Sequence, residues 1–377
     1  MLPRMDDSNQ TPAPLEAPPP LDVTPGAAES VSGAAPPSRV PNTRVALLTW
    51  LVVLLVFGAG GLVMGQQELA LLSALAGVFV AANVADVDPQ WRELYYALGW
   101  VVPGLAFAGG IVLGVDLWRT DLPGLARGAL VMASACAAGL AVLSVATPVA
   151  NRIARILLGV ERPGHLARLS ARAVMLGFAL AIPGWFASQT VLDELIHDPT
   201  PLLERAGLGG GLIGYVLLAF AGVGLLVRRD LRESCTRLGL RWPRVTDLAA
   251  AVVAVVALYG INSGSELLQQ RWFHSSWELD HRMTEAMASG MKPWRIVLLG
   301  LSAGIGEEIT MRGALQPRLG IPLTAAFFAV LHVQYSWFGM VMIGVLGVIL
   351  GILRQRTSTT AAIIAHGVYD MLAALSP

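Results

Sequence analysis

Long apolar runs separated by short polar connections dominate the chain from residue 45 onward. The apolar segments fall at 45–64, 69–85, 94–115, 128–150, 173–192, 208–227, 246–264, 294–315, 321–335, 338–353 and 359–375. A helix that crosses a bilayer needs roughly 17–25 such residues. The second segment is short enough to be re-entrant or interfacial, and the ninth and tenth need tilt or different boundaries to span. The pattern predicts an all-α fold, a polytopic transmembrane helix bundle of about 10–11 helices.

The first 43 residues break this pattern. They hold ten of the 23 prolines, with Pro18, Pro19 and Pro20 in a row, and no apolar run long enough to bury. The expectation for 1–43 is a disordered, Pro-rich tail. It does not read as a cleavable signal peptide, because the first apolar run begins only after Arg44. Behind it come helices over 44–245 that carry no recognisable chemistry, and then 246–377, where the ionisable residues collect.

Composition sharpens the class. With 55% hydrophobic and 14% charged residues and a mean hydropathy of +0.62, the chain has too little polar surface for a soluble protein. Twenty-six basic and 26 acidic residues cancel and aromatics make up 7%, which excludes nucleic acid as a partner. Cys136 and Cys235 sit in unlike surroundings and form neither a disulfide framework nor a zinc cluster. Lys292 is the only lysine among the basic residues, an arginine bias that resembles a GC-rich bacterial genome. It points to a bacterial cytoplasmic membrane.

Arginine-rich short loops stay in the cytoplasm. The 151–172 connection carries Arg152, Arg155, Arg162, Arg168 and Arg172, and the 228–245 connection carries Arg228, Arg229, Arg232, Arg237, Arg241 and Arg244. Arg354 and Arg356 adjoin the last helix. The intervening 193–207 connection is acidic, with Asp193, Glu194, Asp198 and Glu204 against Arg205. Eleven spans and a cytoplasmic N-terminus place every basic loop inside. No internal repeat or inverted pair of broken helices appears, and Gly347 with Gly351 form a Gly-x-x-x-Gly suited to close helix packing.

Ionisable groups within apolar helices demand partners. In the eighth segment Glu308 and Arg312 are four residues apart, so a helix pairs them on one face. Glu307 points about 100° away and lacks a local counter-charge. In the ninth segment His332 follows Phe328 by one turn, and Phe328 would wall off water. In the last helix His366 and Asp370 again share a face, so that Asp370 could fix the His366 tautomer. Measured from the helix ends at about 1.5 Å per residue, Glu307 lies about 10–13 Å deep, His332 about 15–17 Å and His366 about 10–11 Å. His165, His197, His274 and His281 read as solvated, and the 265–293 stretch, with Trp272, Phe273, Trp277 and Trp294, as interfacial.

Glu-Glu-x-x-x-Arg, Phe-x-x-x-His and His-x-x-x-Asp on successive helices resemble the CAAX protease and bacteriocin-processing family, also called the abortive-infection family, whose eukaryotic members are the type II CAAX prenyl endopeptidases. The resemblance covers roughly 246–375, and the extra helices of 1–245 fall outside it. It implies an intramembrane endopeptidase in which Glu307 and His332 activate water, Glu308 and Arg312 orient them, and His366 and Asp370 stabilise the oxyanion. Phe328 would then contact substrate. Asp370 stands where the family commonly has Asn, and an ionised carboxylate cannot donate to an oxyanion, which favours a role in holding His366.

Glu307, His332 and His366 also form a ligand set that a divalent metal such as zinc could use. No His-Glu-x-x-His is present, and the same residues would serve a glutamate-dependent, metal-free hydrolase. The implied partner besides the lipid bilayer is a membrane-associated peptide or protein. The alternative is a non-catalytic membrane scaffold or proton-coupled transporter that uses the same groups as a buried polar network.

Overall fold

The computed structural model describes residues 42–197, 208–288 and 291–375. They belong to one compact unit, Ser38–Pro377. The helices are α1 (Thr43–Val63), α2 (Gln67–Val87), α3 (Arg92–Leu98), α4 (Val101–Trp118), α5 (Gly124–Leu143), α6 (Thr147–Leu158), α7 (His165–His197) and α8 (Leu208–Val223). They continue as α9 (Leu231–Arg237), α10 (Val245–Trp272), α11 (His274–Ala288), α12 (Pro293–Leu301), α13 (Gln316–Val330), α14 (Trp337–Arg356) and α15 (Thr359–Leu375). Between α12 and α13 the chain runs through two π-helical segments, Ser302–Glu307 and Ile309–Leu315. The Pro-rich segment 1–41 and the connection 198–207 lie outside the described residues, as do the side chains of Asp193, Glu194 and His197.

Among the described residues seven helical stretches are long and apolar enough to cross a membrane, and α8 and α15 are shorter apolar helices. The all-α membrane bundle is therefore the fold. Leu55, Val56, Leu62 and Val253 are more than half exposed on its outside, as suits side chains that face hydrocarbon. Trp100, Trp118, Trp242, Trp272 and Trp294, all near helix ends, are exposed too, as in an interfacial aromatic belt.

Several expected boundaries change. The segment expected at 69–85 is the full 21-residue α2 and is the most deeply packed of the seven stretches, not a re-entrant piece. The 128–150 segment is two helices: α5 ends at Leu143, and Pro148, in the first turn of α6, has no N–H with which to continue the α5 ladder. The 294–315 segment leaves α-geometry at Ser302. The 321–335 segment ends at Val330, so His332 lies in the turn that follows and not in a helix.

The arginine-rich connections are tied together at one end of the bundle. Asp86, at the end of α2, accepts from the backbone N–H groups of His165 (2.6 Å) and Leu166 (3.2 Å), from the His165 ring (2.8 Å) and from Arg228 (2.8 Å). It thus caps the N-terminus of α7 from a different helix. His165 is buried between Tyr95 and Tyr96, which corrects its reading as a solvated loop residue. Arg241 pairs with Asp247 (2.6 Å) and reaches the Thr357 carbonyl (3.3 Å), linking α10 to the α14–α15 turn.

The Gly347 and Gly351 pair packs as expected. A Cβ on Gly347 would lie 3.3 Å from Ala325, and one on Gly351 would lie 2.9 Å from Ile321. These close approaches bring α14 against α13.

Candidate active site

The site is built where α15 crosses the π-helical segments. Gly300, Gly304 and Gly367 lie at the crossing, with the Met371 side chain beside Gly300. A Cβ on Gly304 would sit 2.7 Å from the Ile363 carbonyl, and one on Gly367 would sit 2.7 Å from the Gly300 carbonyl. Backbone lies against backbone, and His366 is carried to the two glutamates. From the other side α8 pins the same segment. Ser302 Oγ donates to Leu208 O (2.7 Å) and Thr310 Oγ1 donates to Tyr215 O (3.2 Å). π-turns are rare and collect at functional sites because they re-aim side chains within a helix.

Glu308 is fully buried and engaged through one carboxylate oxygen. Its Oε1 is 3.2 Å from Arg312 Nη1 and 3.0 Å from His366 Nδ1. Arg312, also fully buried, donates to the Gly347 carbonyl (3.2 Å) and places its guanidinium 4.6 Å from the centre of the Phe328 ring. Two charged groups with almost no solvent contact lean on each other, since removing either would leave an uncompensated buried charge. The ion pair expected from the i,i+4 spacing is present.

Glu307 differs. It is half-buried and lines a cavity of about 350 Å³ together with Phe328, His332, His366 and Asp370. Among the described residues no hydrogen bond or ion pair engages its carboxylate. Adjacent glutamates therefore have opposite environments, one locked in the bundle and one facing open space.

His332 lies just past the end of α13 because the last turn closes tightly, with the backbone N–H groups of Leu331 and His332 bonded to Phe328 O and Ala329 O. Its Nδ1 is 2.8 Å from the Phe328 carbonyl. A carbonyl only accepts, so Nδ1 carries the proton, and the ring when neutral presents its Nε2 lone pair elsewhere. Phe328 packs edge-on against both His332 and His366.

His366 stands between carboxylates, with Nδ1 on Glu308 and Nε2 3.5 Å from Asp370 Oδ2. The Asp370 neighbour follows from the i,i+4 spacing, whereas the closer Glu308 bond has no such local signal. This geometry also bears on a metal. His366 directs both nitrogens at carboxylates and His332 commits Nδ1 to a carbonyl. Among the described residues no three His, Cys, Asp or Glu side chains converge as metal ligands, so the set Glu307, His332 and His366 does not fit a metal centre in this arrangement.

Residues outside the motifs hold the His332 turn. Asp280 of α11 accepts from Ser336 and from Gln269 and lines the cavity. Trp185 and Ser188 of α7 donate to the Tyr335 (2.9 Å) and Val333 (2.5 Å) carbonyls. In the sequence Asp280 stands within the stretch expected to be interfacial. Its only signal was an acid on a polar helix face, which marks nothing by itself.

Residues 289–372 match the type II CAAX prenyl endopeptidase Rce1-like family, a span that contains all the motif residues. The uncharacterized protein YpbD of Bacillus subtilis is 24% identical over 158 residues, which cover 41% of this chain and 80% of that protein. No solved structure matches the chain significantly.

Proposed function

We propose that this integral membrane protein, whose C-terminal segment is of the type II CAAX prenyl endopeptidase kind, is an intramembrane endopeptidase cleaving a membrane-associated peptide or protein near the cytoplasmic face. One observation carries the reading. Glu307 presents a carboxylate without a partner among the described residues to the cavity that also holds His332, while neighbouring Glu308 is paired through Oε1 with Arg312 and His366.

In the proposed reaction a water between Glu307 and His332 gives its proton to the Glu307 carboxylate while hydrogen-bonding to His332 Nε2. Its oxygen attacks the carbonyl carbon of the scissile bond. The carbonyl oxygen becomes an oxyanion, and His366 in its imidazolium form donates to it from Nε2. That donor is available because the 3.5 Å separation from Asp370 is long for a charge-assisted hydrogen bond. Asp370 and Glu308 hold the His366 ring. The tetrahedral intermediate then expels the amine, which takes the proton from Glu307. Glu308 and Arg312 fix the ring that contacts the reacting atoms, and Phe328 excludes bulk water from it.

The test compares newly formed peptide termini in membranes of cells that make the wild type or Glu307→Gln at equal abundance. Termini that appear only with the wild type support proteolysis and identify the substrate. Identical sets across growth conditions reject the reading in favour of a buried polar network without catalysis.

A further inference from the structure

A second cavity, of about 420 Å³, lies against the second π-helical segment at Thr310, Met311 and Ala314. Phe328 borders the first cavity and its neighbour Phe327 borders this one. Its size falls in the roughly 300–1,000 Å³ range of ligand pockets. Most of the wall is aliphatic, contributed by α2, α4, α7, α8 and α13, with Leu72, Leu105, Leu180 and Leu218 among the lining residues.

One part of the wall is unlike the rest. Arg229, Arg237 and Arg318 line it, and among the described lining residues there is no carboxylate. Arg229 and Arg237 each donate to a backbone carbonyl, Val223 O (2.5 Å) and Gly313 O (3.2 Å). Arg318 has no hydrogen bond or ion pair among the described residues. The nearest acids are already used, because Asp86 serves His165 and Arg228, and Glu233 accepts from the Asp230 N–H in the cap of α9. Burial and the like charges of Arg318, Arg229 and Arg354 hold Arg237 below the usual arginine range, to about 10. Three crowded guanidiniums beside an aliphatic chamber lack an anion among the described residues.

We propose that this cavity binds an anionic phospholipid drawn from the bilayer, with the phosphate among Arg229, Arg237 and Arg318 and an acyl chain in the aliphatic chamber. Guanidinium forks match phosphate oxygens bidentately. Basic pockets between membrane helices suit anionic headgroups. A free phosphate would satisfy the arginines and leave the aliphatic wall without a counterpart, so the combination selects an amphiphile.

The experiment is native mass spectrometry of the full-length protein in detergent, titrated with phosphatidylglycerol or phosphatidylcholine of identical acyl chains. The wild type is expected to retain phosphatidylglycerol about tenfold more strongly or better, the ratio that a single well-made charge-assisted contact supplies. The triple variant R229Q/R237Q/R318Q is expected to lose that preference. R152Q/R155Q/R162Q, which removes the same charge from exposed positions, is expected to keep it. Ala173→Phe, which fills the aliphatic chamber, is expected to weaken retention of both lipids. Equal retention of the two lipids by the wild type overturns the proposal without recourse to any variant. So does an equal loss of preference in both triple variants, which would mark a diffuse surface charge. Full displacement by inorganic phosphate would show an anion site with no lipid specificity and overturn it as well.

Discussion

Asp280 holds Ser336 by two hydrogen bonds, from its backbone N–H to Oδ1 at 2.6 Å and from its hydroxyl to Oδ2 at 2.7 Å. Ser336 in turn caps α14 by accepting from the Gly339 N–H (3.1 Å). The start of α14 and the turn that bears His332 are thereby fastened to α11. Asp280→Ala is expected to cost about 2 kcal/mol of stability, as the Ser336 N–H loses its partner. Turnover of the identified substrate is expected to fall about 10- to 100-fold, since small misplacements of a reacting group are expensive. Asp280→Asn retains one acceptor and is expected to recover much of kcat, a rescue that loss of folding alone would not produce. Steady-state kinetics beside melting curves separates the two effects.

Arg312 and Glu307 are expected to divide stability from activity. Arg312→Ala strands the fully buried Glu308 with only His366 for a partner, and breaking one side of such a pair costs about 3–5 kcal/mol. Glu307→Gln preserves shape in a half-open cavity and is expected to change stability by less than about 1 kcal/mol while abolishing cleavage. Thermal unfolding in detergent checks both. A Glu307→Gln protein as unstable as Arg312→Ala would contradict the assignment of roles.

The glycine crossing is the most sterically exacting contact near the site. Gly367→Leu forces a side chain onto backbone atoms that a bare Cβ would already meet at 2.7 Å. Overpacking of this kind costs about 1–3 kcal/mol or more, and separating α15 from the π-helical segment pulls His366 off Glu308. The expected outcome is a strong loss of activity with a lowered melting temperature, whereas Gly128→Leu, at a position with open space around it, is expected to change neither.

Asp86 offers a test far from the cavity. Replacing it with Ala uncaps α7 and leaves the buried His165 ring and Arg228 without their shared carboxylate. The loss is expected to be about 2–4 kcal/mol, the sum of a helix cap and a partly exposed ion pair. Stability rather than kcat is expected to respond, measured by melting and by protease resistance.

Much of this was legible in the amino-acid order, though unevenly. Hydrophobic periodicity revealed the helical bundle because span length is a local property. The Glu308–Arg312 pair was legible because i,i+4 neighbours meet whatever the tertiary fold. The Glu308–His366 bond was not, since it depends on where two helices cross, and that depends on glycines whose partners are 60 residues away in the chain. His332 was placed in a helix because the apolar run continues beyond Val330, and the closing turn has no Gly or Pro to announce it. His165 looked solvated amid arginines. Its burial depends on Asp86, Tyr95 and Tyr96, which no spacing rule connects to it.

The hydrogen bonds from Trp185 and Ser188 to Tyr335 and Val333 have a genetic corollary. The segment that carries the motifs borrows the rigidity of its histidine turn from α7, about 150 residues earlier in the chain. Loss-of-function alleles selected at random are therefore expected in two clusters, one among the motif residues and one around residues 183–189, with full-length protein accumulating in both. A fragment that begins after α9 would inherit the chemistry and lack its brace.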